Sequence, residues 1–291
     1  MTQKLVDLHL HSTCSDGSYP PAEVVRMAAG AGLAAMALAD HDNIDGIDAA
    51  MAAGAELGIE VISAVELSVV WESLQDIHLL GYGFDHHHAE LQGALKYFRE
   101  FRETRNEQIV VRVNEKLVSE GRQPIDLEAV KQKAGGTIGR PHIAMALLED
   151  GHVSAKGEAF DRYLVPCNVE KRFFPIAEAI ELIHRAGGAA VLAHPPFIPV
   201  ERAEFPNLLD AFVALGLDGV EAFNSGATND DIDWYITQAR RRGLIVTGGS
   251  DFHGIEGEGL VVGGGRGNLK IPYACVEEIR QAAEKRRAAQ G

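Results

Sequence analysis

Short apolar runs that end in histidine, aspartate or glutamate recur along this chain and alternate with helical patterns. That rhythm leaves few choices of fold. Short buried strands separated by amphipathic helices make a parallel α/β sheet, because parallel strands need a crossover and the helices cover the faces. In the first run, Leu5, Val6, Leu8 and Leu10 surround Asp7, His9 and His11, and Ser12 to Gly17 form a polar turn. Alternate residues of a strand share a face, so His9 and His11 point the same way at the strand end. Two adjacent imidazoles can chelate one divalent ion, and Asp16 in the turn can add an oxygen.

The pattern repeats downstream. A helix starts at Pro20-Pro21, and the strand Ala34–Ala39 ends in Asp40-His41-Asp42. The helix Ile47–Leu57 stops at Gly58, the strand Glu60–Val65 ends at Glu66, and the strand Ile77–Tyr82 carries His78 near its start. Helical spacing of Leu91, Leu95, Phe98, Ile109, Val113 and Leu117 then breaks the rhythm, and no clear strand–helix unit is visible from about Glu100 to Val165. We expect residues 1–99 and 166–291 to form the α/β unit and 100–165 an inserted helical subdomain. Later strands are Ala189–Ala193 ending in His194, Gly219–Phe223 ending in Asn224, and Ile245–Gly248 followed by Ser250-Asp251-Phe252-His253. The stretch Gly257–Gly267 lacks the Lys and Ser/Thr of a phosphate loop and reads as a flexible loop.

About seven strands result, and His9, His11, Asp16, His41, Glu66, His194, Asp251 and His253 lie at or just after strand ends, with His78 the exception. Barrels of alternating strands and helices carry their active sites at the carboxyl ends of their strands. The nine residues together point to a multinuclear metal centre. Histidine and carboxylate without thiolate suit Mn²⁺, with Fe²⁺ or Zn²⁺ as alternatives. Two or three such ions bind a phosphoryl group, acidify an attacking water and shield the leaving oxygen. His194 and Asp42 are the candidates for protonating that oxygen, and Asp7 and Asp40 for orienting the histidines.

Composition narrows the partners. The 291 residues are 46% hydrophobic, enough for a full core, and contain no apolar run long enough to span a bilayer. A net charge of −15 without a polybasic run argues against long duplex nucleic acid. Cys14, Cys167 and Cys275 are odd in number and lack metal-finger spacing, and no signal peptide is visible, so a reduced, cytoplasmic protein is expected. In the insertion, Arg140 and His142 sit in a glycine-rich turn that opens a helix, which supplies donors for a phosphate. Lys171 and Arg172, where the insertion returns, together with Ser12 and Asn224, complete the candidate substrate contacts. Arg105 and Asn106 read as a solvated helix face, and His86-His87-His88 as surface.

The series D-L-H-x-H-S-x-x-S-D-G, A-D-H-D, a strand ending in Glu66, then His78, His194-Pro195 and S-D-x-H resembles the PHP (polymerase and histidinol phosphatase) family. The G-R-P-H insertion resembles its branch of nucleotide phosphatases and 5′-to-3′ exoribonucleases. This resemblance implies a distorted, amidohydrolase-like (β/α)7 TIM-type barrel. It implies that His9, His11, Glu66 and Asp251 hold one metal, that Asp16, His41 and His253 hold a second, and that Glu66, His78 and His194 hold a third. It further implies hydrolysis of a phosphomonoester on a small nucleotide, best matched by the 3′-phosphate of a nucleoside 3′,5′-bisphosphate. Cleavage of short RNA and a non-catalytic regulatory module are the alternatives, and an intact ligand set weighs against the second.

Overall fold

The computed structural model describes residues 4–134, 138–170, 172–257 and 259–289, except for the side chains of Asp76, Arg102 and Glu103. In chain order the elements are β1 (Leu5–Leu10), α1 (Pro21–Gly30), β2 (Ala35–Leu38), α2 (Ile47–Leu57), β3 (Glu60–Trp71), β4 (Leu74–Tyr82), α3 (Ala89–Ser119), α4 (Leu127–Ala134), α5 (Arg140–Glu149) and α6 (Lys156–Ala159). A π-helical turn over Phe160–Leu164 prolongs α6. Then come β5 (Phe174–Pro175), α7 (Ile176–Arg185), β6 (Ala189–Leu192), α8 (Phe205–Ala214), β7 (Gly219–Asn224), α9 (Asn229–Arg241), β8 (Ile245–Gly249), β9 (Ile271–Pro272) and α10 (Ala274–Ala288).

Local chemistry sets the helix ends. Pro21 begins α1, Gly58 ends α2 in the left-handed region at φ 71°, and Thr228 and Asp231 exchange hydrogen bonds at the start of α9. The strands lie in the order β8-β7-β6-β4-β3-β2-β1-β9, with β5 beside β3. The sheet nearly closes into a barrel where β1 meets the segment after β8. There Asp251 N donates to His9 O (2.9 Å) and His11 N to Phe252 O (3.0 Å). A β-carbon at Gly249 would stand 2.0 Å from His9 Cβ, so only glycine allows this approach.

Two strands depart from expectation. β3 does not end before Glu66 but continues to Trp71, because its second half pairs with β4 and β5 after β2 has ended. β4 runs antiparallel to both β3 and β6. This reversal brings His78, at the middle of β4, to the rim that the parallel strands reach with their carboxyl ends. The glycine-rich stretch is a loop, but an anchored one. Gly263 N donates to Asp7 Oδ2 at 2.7 Å, and Val261 bridges Gly265.

Apolar side chains fill the barrel and its helix layer, with Leu67, Leu79, Ile180 and Val220 in one cluster and Leu8, Tyr82, Val191 and Ile279 in another. Residues between Ile109 and Cys167 form a cluster of their own. The 31-residue α3 joins the two regions: Leu91 and Leu95 belong to the barrel and Val113 and Leu117 to the second core. The expected boundary at 99/100 therefore falls inside a helix. On the separate core we propose that 100–165 is an inserted subdomain. Among the described residues no helix is long and apolar enough to cross a membrane.

At the rim away from the ligands, one carboxylate ties four elements together. Asp218 Oδ2 accepts from His184 Nε2 (2.8 Å) and Ala190 N (2.9 Å), and Oδ1 accepts from Arg286 Nε (3.0 Å). Burial would push this carboxyl up, but the bonds from His184, Ala190 and Arg286 outweigh it and hold it below the usual range. A depressed carboxyl stabilises the fold fully above its ordinary value of about 3.9 and loses that contribution as pH falls through the folded value. Asp218→Asn should therefore cost about 2–3 kcal/mol at pH 7, and the gap to wild type should narrow below pH ~4. Urea unfolding at both pH values checks this.

Candidate metal centre

β1 is buried along most of its length, and His9 and His11 project from it with ring centroids 5.0 Å apart. Glu66, from the middle of β3, lies at the centre of the site. Its Oε2 is 3.2 Å from His9 Nε2, 3.3 Å from His11 Nε2 and 3.0 Å from His41 Nδ1. Its Oε1 is 2.7 Å from His78 Nδ1 and 2.8 Å from His194 Nε2. Asp251 Oδ1 is 3.2 Å from His11 Nε2 and 3.5 Å from His9 Nε2. Asp16 faces His253 at 3.4 Å and His41 at 3.8 Å.

Three groups of converging ligand atoms result: His9, His11, Glu66 and Asp251; His11, Asp16, His41 and His253; and His41, Glu66 and His78. His194 stands beside the third, 3.2 Å from His78. All nine candidate ligands thus meet in one place, and His11 and His41 each reach two groups. Their chemistry fits divalent cations. The set is six imidazoles and three carboxylates without thiolate, and the buried His9 Nε2 and Glu66 Oε2 face one another without a hydrogen bond. Electrostatics agree. Burial opposes charge on Glu66, yet His41, His78 and His9 hold it well below the usual carboxylate range. Burial and the neighbouring His253 push His11 down to about 3. Backbone strain also collects here: His194 (φ 24°), Asp251 (φ 58°) and Asp42 (φ 50°) occupy the left-handed region without being glycine.

One residue escaped the sequence reading. Glu221, fully buried on β7, accepts from His9 Nδ1 at 2.9 Å and from the backbone N–H of His194 at 2.8 Å. It fixes the His9 tautomer with Nε2 toward Glu66 and pins the strained His194 backbone. The only sequence signal was a lone acid inside the apolar run Gly219–Phe223. Glu221→Gln should lower metal affinity roughly 10–100-fold, read by element analysis after dialysis against graded chelator.

Several candidates take other roles. Asp40 accepts from Ser12 N (2.7 Å), Ser12 Oγ (2.7 Å) and Ser15 Oγ (2.6 Å), and Asp7 accepts from Ser250 N and Gly263 N. These two carboxylates hold the loops, not the histidine rings. Ser12 is accordingly buried, with its N–H and hydroxyl donated to Asp40. Asn224 is also fully buried, with its side-chain N–H donating to Glu221 Oε2 and its Oδ1 accepting from Gly226 N. Asp42 accepts from Ser68 N at 2.9 Å and from Ser68 Oγ at 3.1 Å. His142 Nδ1 caps α5 by accepting from Gly139 N at 2.9 Å. Lys171 lies outside the described residues.

A cavity of about 240 Å³ is lined by Asp16, His41 and His78 and also by Arg105, Asn106, Arg140 and Arg172. Contrary to expectation, Arg105 and Asn106 are buried. Arg105 donates to Val169 O and Asn168 Oδ1, and Asn106 donates to Ile138 O. Arg140 lies over Phe160 at 5.9 Å, and Arg172 over Phe101 at 4.9 Å and Tyr97 at 5.1 Å. Among the described residues neither Arg140 nor Arg172 meets a carboxylate. The cavity thus joins the ligand cluster to cationic groups from residues 100–165 and from the segment that follows them.

Residues 7–117 match the PHP domain. The chain is 39% identical to a 5′-3′ exoribonuclease of Haemophilus influenzae, over 87% of this chain and 91% of that protein. The chain belongs to the PHP family. Another relative, a 3′,5′-nucleoside bisphosphate phosphatase of Chromobacterium violaceum, is 34% identical over 87% of this chain and 88% of its own. The structure of an amidohydrolase from Chromobacterium violaceum, determined with sulfate and no metal, superposes with a TM-score of 0.77 at 34% identity over 89% of each chain.

Proposed function

We propose that this PHP-family phosphoesterase removes the 3′-phosphate of nucleoside 3′,5′-bisphosphates and leaves the 5′-mononucleotide. The observation that carries this reading is the shared cavity. One phosphate fits at the ligand cluster, and a second, uncleaved phosphate has Arg140 and Arg172 to meet it. His9, His11, Glu66 and Asp251 would hold one cation, Asp16, His41 and His253 another, and His78 and His194 would complete a third position on Glu66. We propose Mn²⁺. Bound cations supply charge for the scissile phosphoryl group and acidify the attacking water. The chain's own contribution is positional. Glu66 and Asp251 keep the anionic charge buried among histidines, Glu221 holds His9 and His194, and Arg140 anchors the distal phosphate. His194, whose Nε2 lies 2.8 Å from Glu66 Oε1, is the residue we propose for protonating the leaving oxygen.

A second reading, 5′-to-3′ cleavage of short RNA, is favoured by the likeness to the Haemophilus influenzae exoribonuclease. Three free cysteines agree with a reducing, cytoplasmic setting, which we include in the proposal. Incubation of the Mn²⁺-loaded protein with a nucleoside 3′,5′-bisphosphate, with products separated by chromatography, tests the primary reading. The 5′-mononucleotide with one inorganic phosphate is expected. A 3′-mononucleotide would overturn the 3′-phosphate as the group removed.

A further inference from the structure

A second cluster of metal-ligating side chains lies outside the centre described above. Asp48, in the first turn of α2, meets His86 and His87, from the loop between β4 and α3. His86 Nε2 is 2.8 Å from Asp48 Oδ1, and His87 Nε2 is 3.8 Å from the same oxygen. The two imidazoles lie with centroids 4.1 Å apart. One ligand atom from each residue falls within 4.8 Å of the other two. We propose that Asp48, His86 and His87 form a separate surface site for one divalent transition-metal ion.

Two features make this more than a pair of surface histidines. First, the chemistry is selective. Two imidazole nitrogens and one carboxylate oxygen suit Zn²⁺, Ni²⁺ or Cu²⁺ over Mg²⁺ or Ca²⁺, with water filling the remaining positions. Second, the loop is already built. Asp85 N donates to Ala186 O (2.8 Å), His87 N to Asp85 Oδ1 (2.9 Å), His88 N to Asp85 O (3.1 Å), and Gln92 Nε2 to His86 O (3.0 Å). Both histidine backbones are therefore held before any ion binds, which lowers the ordering cost of binding. His87, whose side chain is 65% exposed, is free to turn toward Asp48 and His86. The ligands come from two elements, so an ion here ties the loop that launches α3 to α2. α3 carries Arg105 and Asn106 into the cavity.

The test uses the Mn²⁺-loaded holoenzyme freed of excess metal and titrated with Ni²⁺ by calorimetry. Wild type should show one more Ni²⁺ equivalent than His87→Ala. Asp48→Asn should weaken that event about tenfold or more, with bound Mn²⁺ and phosphatase activity unchanged in both variants. Ni²⁺ at about 100 times its dissociation constant should raise the melting temperature of wild type several degrees more than that of His87→Ala. Equal Ni²⁺ stoichiometry in wild type and His87→Ala would overturn the site. So would a Ni²⁺ event matched by loss of Mn²⁺ in equal amount, since that would place the ion in the central cluster.

Discussion

Replacement of Glu66 by glutamine should reduce kcat/KM by about a thousandfold or more and lower metal content below that of any single terminal-ligand variant. The geometry makes this the most damaging isosteric change in the protein. Five histidines approach the two oxygens of Glu66 within 3.3 Å, so one carboxylate serves every ligand group but that of Asp16. Glutamine keeps the shape but removes the negative charge, and its amide hydrogens face the same nitrogens and cations. Several kcal/mol of transition-state stabilisation from bound cations corresponds to that rate loss at about 1.4 kcal/mol per decade. His78→Ala removes a ligand from one group only and should lose less metal. Element analysis beside steady-state kinetics checks the order, and unchanged metal content in Glu66→Gln would remove its bridging role.

Replacement of Arg140 by alanine should separate the two phosphates. A charge-assisted, bidentate contact contributes roughly 1.5–3 kcal/mol, or about one to two decades in kcat/KM. That loss is expected on a 3′,5′-bisphosphate. Little loss is expected on an aryl phosphate, which carries only the scissile group. Remote binding energy also positions the reacting group, so kcat should fall along with affinity. Metal content should stay normal, because Arg140 belongs to none of the ligand groups. Equal losses on the two substrates would assign Arg140 to the scissile phosphate or to the fold.

What the sequence disclosed, and what it hid, follows from how each signal arises. The helix Ile47–Leu57 was legible to the residue because Gly58 provides a left-handed stop. Ligand candidates were legible because imidazole and carboxylate at the end of an apolar strand are costly unless used. Strand direction was not legible. Alternation and length are the same for parallel and antiparallel strands, so β4 read as one more forward strand and His78 as an exception. β3 read as ending at Glu66 because a buried acid inside an apolar run looks like a boundary. Only the cluster of histidines around it makes that acid compatible with a continuous strand. Glu221 hid for the same reason, since its justification is a ring on β1, 212 residues away. Arg105 and Asn106 read as solvated because helix periodicity cannot show that Val169, Asn168 and Ile138 fold back over them. Ser12 and Asn224 looked available for substrate because position at a strand end does not show which hydrogen bonds are already made.

We propose that the cavity between the ligand cluster and residues 100–165 takes a small nucleotide with two phosphates. The most direct test of this proposal is kcat/KM of one Mn²⁺-loaded preparation on a nucleoside 3′,5′-bisphosphate and on a short 5′-phosphorylated RNA, with initial rates of phosphate and of mononucleotide release followed in parallel. We expect the bisphosphate to be preferred by at least about tenfold, with phosphate as the released group. Preference for the RNA, with mononucleotides released from its 5′ end, would contradict it.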